Sequence, residues 1–166
     1  MFTTRVHWIA GLEPHRIGLM SRPRGGDQLA GEVEAWGLAG VKVVVSLLET
    51  REAKDLGLAS EAALCAEHGI QLRSLPIPDH GTPVSRTDVR ALIDLLEEDV
   101  KAGRALVIHC RAGIGRTGIV AACLLSRLGI PSGELFHRLS GARGLAMPDT
   151  EAQIEWVERF LADTRP

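Results

Sequence analysis

The apolar residues fall into two kinds of segment: short runs rich in β-branched residues, and longer stretches whose apolar positions recur every three or four residues. Residues 41–48 are the clearest short run, and they predict a strand covered on both faces. Residues 105–108 form a second run, which leads into residues 117–128, a stretch long and apolar enough for a buried helix. Strands alternating with helices predict an α/β fold, a mostly parallel sheet of about four to five strands flanked by helices.

Turn and capping residues complete the predicted order of elements. Further strands are expected over residues 5–10 and 70–77, and a loop is expected over residues 18–26. No linker, repeat or low-complexity segment interrupts the order, so we expect residues 1–166 to form a single domain. A connector is expected over residues 141–148, and helices are expected to begin near Asp27, Ser60, Ser85, Ser132 and either Asp149 or Thr150.

Composition narrows the class of protein. The 166 residues carry a net charge of −2, and aromatic residues make up only 4% of them, with no tyrosine. This composition argues against a polyanion-binding protein and against a base-stacking surface, so no nucleic-acid partner is expected. No apolar run approaches the roughly 18 residues of a membrane span, and the N-terminus lacks a signal-like apolar segment. We therefore expect a cytoplasmic protein without a membrane span; the pattern carries no signal for an oligomeric state.

The three cysteines lack the spacing of metal ligands, so no metal site is expected. Their odd number, without a signal peptide, favours a reducing compartment. Cys65 and Cys123 lie on apolar helix faces and are predicted to be core residues, although Cys123 is also a candidate partner for an oxidised Cys110. Arg143, late in the chain, is assigned to a solvated face.

The chemistry is concentrated in the segment that joins the strand at 105–108 to the following helix. Cys110 and Arg116 are separated by five residues that include Gly113 and Gly115. A glycine-containing loop at a helix N-terminus directs backbone N–H groups at a common centre, and an arginine adds a planar fork that matches two phosphate oxygens. The same field stabilises a thiolate, so the loop is suited to hold a phosphoryl group beside a cysteine nucleophile.

The sequence His109-Cys110-(five residues)-Arg116-Thr117 resembles the signature loop of the cysteine-based protein tyrosine and dual-specificity phosphatases. This resemblance implies that Cys110 is the nucleophile, that His109 supports the loop, and that the Thr117 hydroxyl stabilises the departing thiolate. Two plainer interpretations stay open: Thr117 as a helix cap and His109 as a satisfied core residue. The predicted phosphate-binding residues are Arg111, Ala112, Gly113, Ile114, Gly115 and Arg116, of which Arg111 either steers substrate or faces solvent.

Hydrolysis of a phosphate ester also requires an acid that protonates the leaving oxygen. Asp79 lies in a proline-rich loop after a predicted strand, about thirty residues before Cys110, similar to the general-acid aspartate of dual-specificity phosphatases. A turn aspartate is the plain alternative, and His80 is a rival acid. Gln153 resembles the glutamine near the attacking water in several phosphatases, but a capping box from Thr150 explains it equally well.

The resemblance extends over nearly the whole chain to the small dual-specificity and kinase-associated branch, through Trp8, residues 19–24, and residues 43–48 with Glu49 and Glu52. It implies hydrolysis of phosphotyrosine monoesters in phosphoproteins, with phosphoserine and phosphothreonine as further candidates, through a phosphocysteine intermediate and without a cofactor. The alternatives are a phosphoinositide phosphatase, although Arg111 and Ile114 stand where lysines would often be, and a non-catalytic phosphoprotein-binding module. Residues 113–118 also fit a dinucleotide-binding Gly-x-Gly-x-x-Gly pattern, but no second strand with an acidic residue follows.

Overall fold

The computed structural model describes residues 2–163. In this range five strands form one sheet: β1 (His7–Trp8), β2 (Ile17–Met20), β3 (Val41–Ser46), β4 (Gln71–Ser74) and β5 (Ala105–His109). The helices of the described range are α1 (Leu29–Leu38), α2 (Thr50–Asp55), α3 (Glu61–Glu67), α4 (Arg86–Lys101), α5 (Gly115–Arg127), α6 (Leu135–Arg143) and α7 (Glu151–Asp163). Short 3-10 helices at Gly26–Gln28 and Ser132–Glu134 precede α1 and α6.

The sheet has the strand order β1-β2-β5-β3-β4, and every neighbouring pair is parallel except β1 with β2. The predicted α/β fold with a mostly parallel sheet is confirmed. The central strand is β5, and all five of its residues are buried. Because the parallel strands end at one edge of the sheet, the segment after β5 is placed between the ends of β2 and β3, where such sheets commonly bind ligands.

The core is divided by the sheet into two clusters. Successive residues of β5 point to opposite faces: Leu106 and Ile108 pack with α4, α5 and α7, whereas Val107 packs with α1 and α3. Helix α5 is buried continuously from Gly115 to Leu125, which fits its apolar sequence. Helix α4 buries one face and begins at Ser85, whose hydroxyl accepts a hydrogen bond from the Asp88 amide at 3.1 Å, as predicted.

The strands expected over residues 5–10 and 70–77 are shorter in the structure, at His7–Trp8 and Gln71–Ser74. Two further boundary predictions are wrong. The loop expected over residues 18–26 begins with strand β2, because Gly18 belongs to the strand: a Cβ atom there would lie 2.4 Å from Cγ1 of Val6. The connector expected from residue 141 begins only after Arg143, where Gly144 adopts a φ of 80° and ends α6. None of the described helices combines the length and apolar character needed to cross a bilayer.

The core around β5 predicts a clear stability contrast. Replacement of the fully buried Leu106 by alanine removes methyl groups that α4 and α5 enclose, so we expect Leu106→Ala to lower the free energy of unfolding by about 2–5 kcal/mol. Leu38, which is 85% exposed, provides the matched control, and Leu38→Ala should change it by less than about 0.5 kcal/mol. Urea denaturation measures both, and similar losses for the two variants would contradict the packing described here.

Candidate active site

The loop between β5 and α5 is shaped by its contact with the end of β2. The Arg22 amide donates to the Arg111 carbonyl at 3.1 Å. Gly113 has a φ of 73°, and a Cβ atom there would lie 2.4 Å from the Met20 carbonyl oxygen. A side chain at this position would therefore push the loop away from the strand. The glycine is required both by its backbone conformation and by close approach.

The sulfur of Cys110 points into this loop. It accepts hydrogen bonds from the Gly113 amide at 3.3 Å and from the Thr117 hydroxyl at 3.0 Å, and the residue is only 2% exposed. The loop therefore presents two hydrogen-bond donors to one sulfur at its centre.

The other two cysteines lie in a different environment. Cys65 and Cys123 are buried in the core, as predicted. Burial raises the pKa of each thiol to about 12, and the nearby Glu61 carboxylate adds to the effect at Cys65. Both therefore remain protonated thiols at neutral pH.

Arg116 lies at the start of α5 with its guanidinium almost completely enclosed. It forms a bidentate pair with Glu52, at 2.7 Å to Oε1 and 2.9 Å to Oε2, and also donates to the Ile77 carbonyl at 3.0 Å. The hydrogen bond from Arg116 holds the pKa of Glu52 below its ordinary value, against the opposing effect of burial. Burial opposes the charge of Arg116, but Glu52 and Cys110 together raise its pKa above the ordinary value, so it stays a cation.

Asp79 approaches the same guanidinium from the loop that follows β4. Its Oδ1 atom accepts from Nη2 of Arg116 at 2.9 Å, and its side chain is 38% exposed. The next residue, His80, has a φ of 59°, and its Nδ1 atom lies 3.0 Å from Oδ2 of Asp149. The Asp79 loop is therefore tied both to Arg116 at the start of α5 and to the segment that begins α7.

Gln153 completes the wall of the site. Its Oε1 atom accepts hydrogen bonds from the backbone amides of Asp149 and Thr150. The backbone amide of Gln153 donates to the Thr150 hydroxyl at 3.2 Å, so the predicted capping arrangement is present. Its Nε2 atom donates to the Gly81 carbonyl at 3.1 Å. The side chain thus serves as a cap and also fastens the Asp79 loop to α7.

These residues enclose a small cavity of about 60 Å³ above the Cys110 sulfur. The structure brings together Cys110, Arg116, Asp79 and Gln153, with Arg111, Ala112, Gly115 and His80 also at its wall. His109 and Thr117 are fully buried behind the loop instead, and Ile114 is half-buried at the helix start.

Comparison with known proteins gives the family. Residues 18–130 match the family model described as "Tc-R-P: Polymorphic toxin system, DSP-PTPase phosphatase". The chain belongs to this phosphatase family. The resemblance to the small dual-specificity and kinase-associated phosphatases is thereby confirmed, and the chain carries a domain of the protein-tyrosine and dual-specificity phosphatase class.

Individual relatives of this phosphatase agree with that assignment. Cyclin-dependent kinase inhibitor 3 of Rattus norvegicus is 34% identical over 102 residues, which are 58% of this chain and 46% of the relative. Tyrosine-protein phosphatase 2 of Dictyostelium discoideum is 44% identical over 45 residues, 27% of this chain and 12% of the relative. The matches span less than half the length of these relatives. A crystal structure of kinase associated phosphatase can be superposed over 98% of this chain and 97% of the phosphatase chain. The TM-score is 0.88 and the sequence identity is 22%, so the two chains share a fold.

Several residues that hold the site together were not predicted from the sequence. Glu52 was noted only within the wider resemblance, yet it is the main partner of Arg116. Arg143 was assigned to a solvated face, and this is wrong: it donates to the Ala112 carbonyl at 2.9 Å and contacts His7. Burial, with Arg143 nearby, lowers the pKa of His7, so that ring favours its neutral form. These partners are far apart in the sequence, and no local pattern signals such contacts.

A wider groove of about 610 Å³ lies at the other end of the sheet and contains none of the loop residues. Three of its charged groups already pair with one another: Arg73 forms a bidentate contact with Asp99, and Arg104 donates to the same carboxylate at 3.0 Å. The small cavity above Cys110, rather than the larger groove, carries the arrangement that the phosphatase family leads us to expect.

The pairing of Glu52 with Arg116 predicts an acid-dependent loss of stability. Because the folded pKa of Glu52 lies below its ordinary value of 4.5, the unfolded chain binds more protons between the two values. The stabilisation is complete above that ordinary value and is lost as the pH falls through the folded value. We expect Glu52→Gln to lower the free energy of unfolding by about 1–3 kcal/mol at neutral pH, because Arg116 loses its charged partner. The free energy of unfolding of the variant should also fall less steeply as the pH is lowered.

Urea denaturation over an acidic to neutral pH series measures this effect. Glu155→Gln, at an exposed position of α7, makes the same chemical change away from the site and should keep the wild-type slope. A Glu52→Gln protein with the full wild-type acid slope would show that another carboxylate accounts for it.

Proposed function

We propose that this phosphatase hydrolyses phosphotyrosine monoesters in proteins through a phosphocysteine intermediate, with phosphoserine and phosphothreonine as further substrates. The observation that carries the proposal is the Cys110 sulfur, which faces the centre of a loop bounded by the buried Arg116 cation. The names of the relatives, a tyrosine-protein phosphatase and a cyclin-dependent kinase inhibitor, also fit a phosphoprotein substrate. In this proposal residues 1–166 act as one catalytic domain in the cytoplasm, where a free nucleophilic thiol persists.

In the first step, the Cys110 thiolate attacks phosphorus in line with the ester oxygen. The phosphorus–sulfur bond forms as the phosphorus–oxygen bond breaks. Arg116 and the loop amides bind the three equatorial oxygens and offset the charge that gathers on them in the transition state. Asp79, in its protonated form, gives its proton to the leaving oxygen, so the alcohol or phenol departs uncharged.

In the second step, Asp79 is a carboxylate and takes a proton from the water that attacks the phosphocysteine. The phosphorus–sulfur bond breaks, inorganic phosphate is released, and the electron pair returns to the sulfur. The Thr117 hydroxyl lies 3.0 Å from that sulfur and donates to it as the thiolate reforms. Gln153 lies at the wall where this water would enter and, through the Gly81 carbonyl, holds the Asp79 loop in place.

The depth of Cys110 in the cavity favours phosphotyrosine over phosphoserine and phosphothreonine as a substrate. Cys110 is 2% exposed and lies at the floor of the cavity, whereas Asp79 and His80 stand at its more open wall. A phosphoryl group must therefore pass between these side chains to reach the sulfur. A phenyl ester holds its phosphate farther from the peptide backbone than a serine or threonine ester does, so it reaches the floor with less strain.

Replacement of the nucleophile tests the covalent step. We expect Cys110→Ser to reduce turnover of an aryl phosphate to the uncatalysed background, because a serine hydroxyl is not ionised by the loop. Wild-type protein quenched during turnover should carry one phosphoryl group on Cys110, detected by mass spectrometry. Cys123→Ala, which removes a thiol that burial keeps protonated, is the matched control and should retain activity. Full activity in Cys110→Ser would disprove the mechanism.

Asp79 and His80 are adjacent candidates for the general acid, and one comparison separates them. We expect Asp79→Asn to lower kcat by about a hundredfold to ten-thousandfold for esters with poor leaving groups, and much less for activated aryl esters. His80→Asn should cause a smaller loss that does not depend on the leaving group. Initial rates across a series of substituted phenyl phosphates measure this dependence; the reverse pattern would assign the acid to His80.

The substrate class is tested with initial rates on phosphotyrosine and phosphothreonine peptides and on inositol phosphates. The proposal requires the highest kcat/KM on phosphotyrosine peptides. A preference for inositol phosphates would support the phosphoinositide alternative, and binding without turnover would support a phosphoprotein-binding module.

A further inference from the structure

A buried acid–base pair lies directly behind the nucleophile, and the mechanism above makes no use of its acidic member. Nε2 of His109 lies 2.7 Å from Oε2 of Glu61, and the two side chains are 0% and 4% exposed. His109 is the last residue of β5, so Cys110 follows it directly. Glu61 is the first residue of α3, which packs on the face of the sheet opposite α5.

The surroundings of the ring determine its charge. Its Nδ1 atom faces the Cys110 carbonyl oxygen at 3.4 Å, while Nε2 faces a carboxylate oxygen. Both neighbours are acceptors, and neutral imidazole has only one N–H to offer, so the doubly protonated ring satisfies both contacts when Glu61 is a carboxylate. An imidazolium is costly to bury alone, and the Glu61 carboxylate supplies the charge that offsets it.

The ring is held in a fixed place by its neighbours. Strand pairing with Ser46 and Met20 fixes the backbone of His109 on both sides, and Glu61 fixes the far end of the ring. The ring therefore spans from the Glu61 carboxylate at Nε2 to the backbone carbonyl of Cys110 at Nδ1.

The other titratable groups recorded around the pair are few within residues 2–163. Cys65, on the same helix as Glu61, is a protonated thiol whose pKa burial and Glu61 raise to about 12. On the other side are the Cys110 sulfur and Arg116, which is attracted to that sulfur and is neutralised mainly by Glu52 on α2. None of these three groups contacts Nε2 of His109, so Glu61 is the carboxylate partner of the ring.

We propose that Glu61 is a positioning residue for the nucleophile: it keeps His109 as an imidazolium beneath the loop, and that fixed positive charge stabilises the Cys110 thiolate. The inference deepens the proposed function, because it names what sets the charge of the attacking sulfur. Glu61 does not touch substrate, and it acts through the ring.

The test measures the thiolate directly and does not depend on turnover. The rate of Cys110 alkylation by iodoacetamide is followed against pH, with the ultraviolet absorbance of the thiolate as a second measure. We expect Glu61→Gln, which keeps the shape and removes the charge, to move the midpoint of thiolate formation up by about one pH unit, a tenfold change in the ionisation constant. The acidic limb of kcat/KM should move by the same amount, with little change in KM above the new midpoint.

Glu67→Gln is the matched control, because it makes the same change at an exposed position on the same helix and should leave the midpoint unchanged. The double variant with His109→Gln should have the same midpoint as His109→Gln alone if Glu61 acts through the ring. An unchanged midpoint in Glu61→Gln, even with reduced thermal stability, would overturn the proposal and leave Glu61 a structural residue.

The wild-type protein gives an independent test that needs no variant to fold. Nitrogen NMR of labelled histidine reports whether each ring nitrogen carries a proton. We expect both nitrogens of His109 to be protonated at neutral pH, and one unprotonated nitrogen there would overturn the proposal. Because alkylation and NMR do not require ester hydrolysis, a normal thiolate response in a protein without turnover would refute the proposed function alone.

Discussion

The site depends on the burial of one positive charge. The Arg116 side chain is 2% exposed, and it stands at the N-terminus of α5, where the helix dipole is itself positive. An unpaired guanidinium in this position would be strongly disfavoured, so the fold must bring negative groups to it. Glu52 from α2, the Ile77 carbonyl and Asp79 all meet it there. Compensating this charge therefore draws two separate chain segments, α2 and the loop after β4, around the loop that holds Cys110.

The two carboxylates on Arg116 are not equivalent. Glu52 uses both oxygens and is 11% exposed, whereas Asp79 uses one oxygen and is 38% exposed. A phosphate that enters the cavity competes for the guanidinium face that Asp79 contacts, because that partner is held by a single bond and lies closer to solvent. Glu52 then remains as the fixed counter-charge. In the proposed mechanism, the same cation therefore binds substrate without losing the interaction that keeps it in place.

The contrast between what the sequence predicted and what it did not has a physical basis. The path from β5 through Cys110 to Arg116 was predictable, because the strand run, the glycines and the start of the helix lie within the fourteen residues 105–118 and their geometry is local. The β-branched runs likewise predicted the parallel sheet. Glu52 and Glu61 were not predicted as site residues, because they lie 64 and 48 positions from their partners, and only the order of strands in the sheet brings them together. Local spacing carries no record of that order.

The wrong prediction at strand β2 bears on the position of the Cys110 sulfur. Gly18 was taken as a loop signal, yet in the sheet it makes room for the β1 side chains and lets β2 lie beside β5. The end of β2 then presents the Met20 carbonyl so close to Gly113 that no side chain fits between them. That contact sets the turn at Gly113, and the Gly113 amide is one of the two donors to the Cys110 sulfur. The local sequence thus supplies the groups of the loop, but the neighbouring strand is needed to give the loop the curvature that directs an amide at the sulfur.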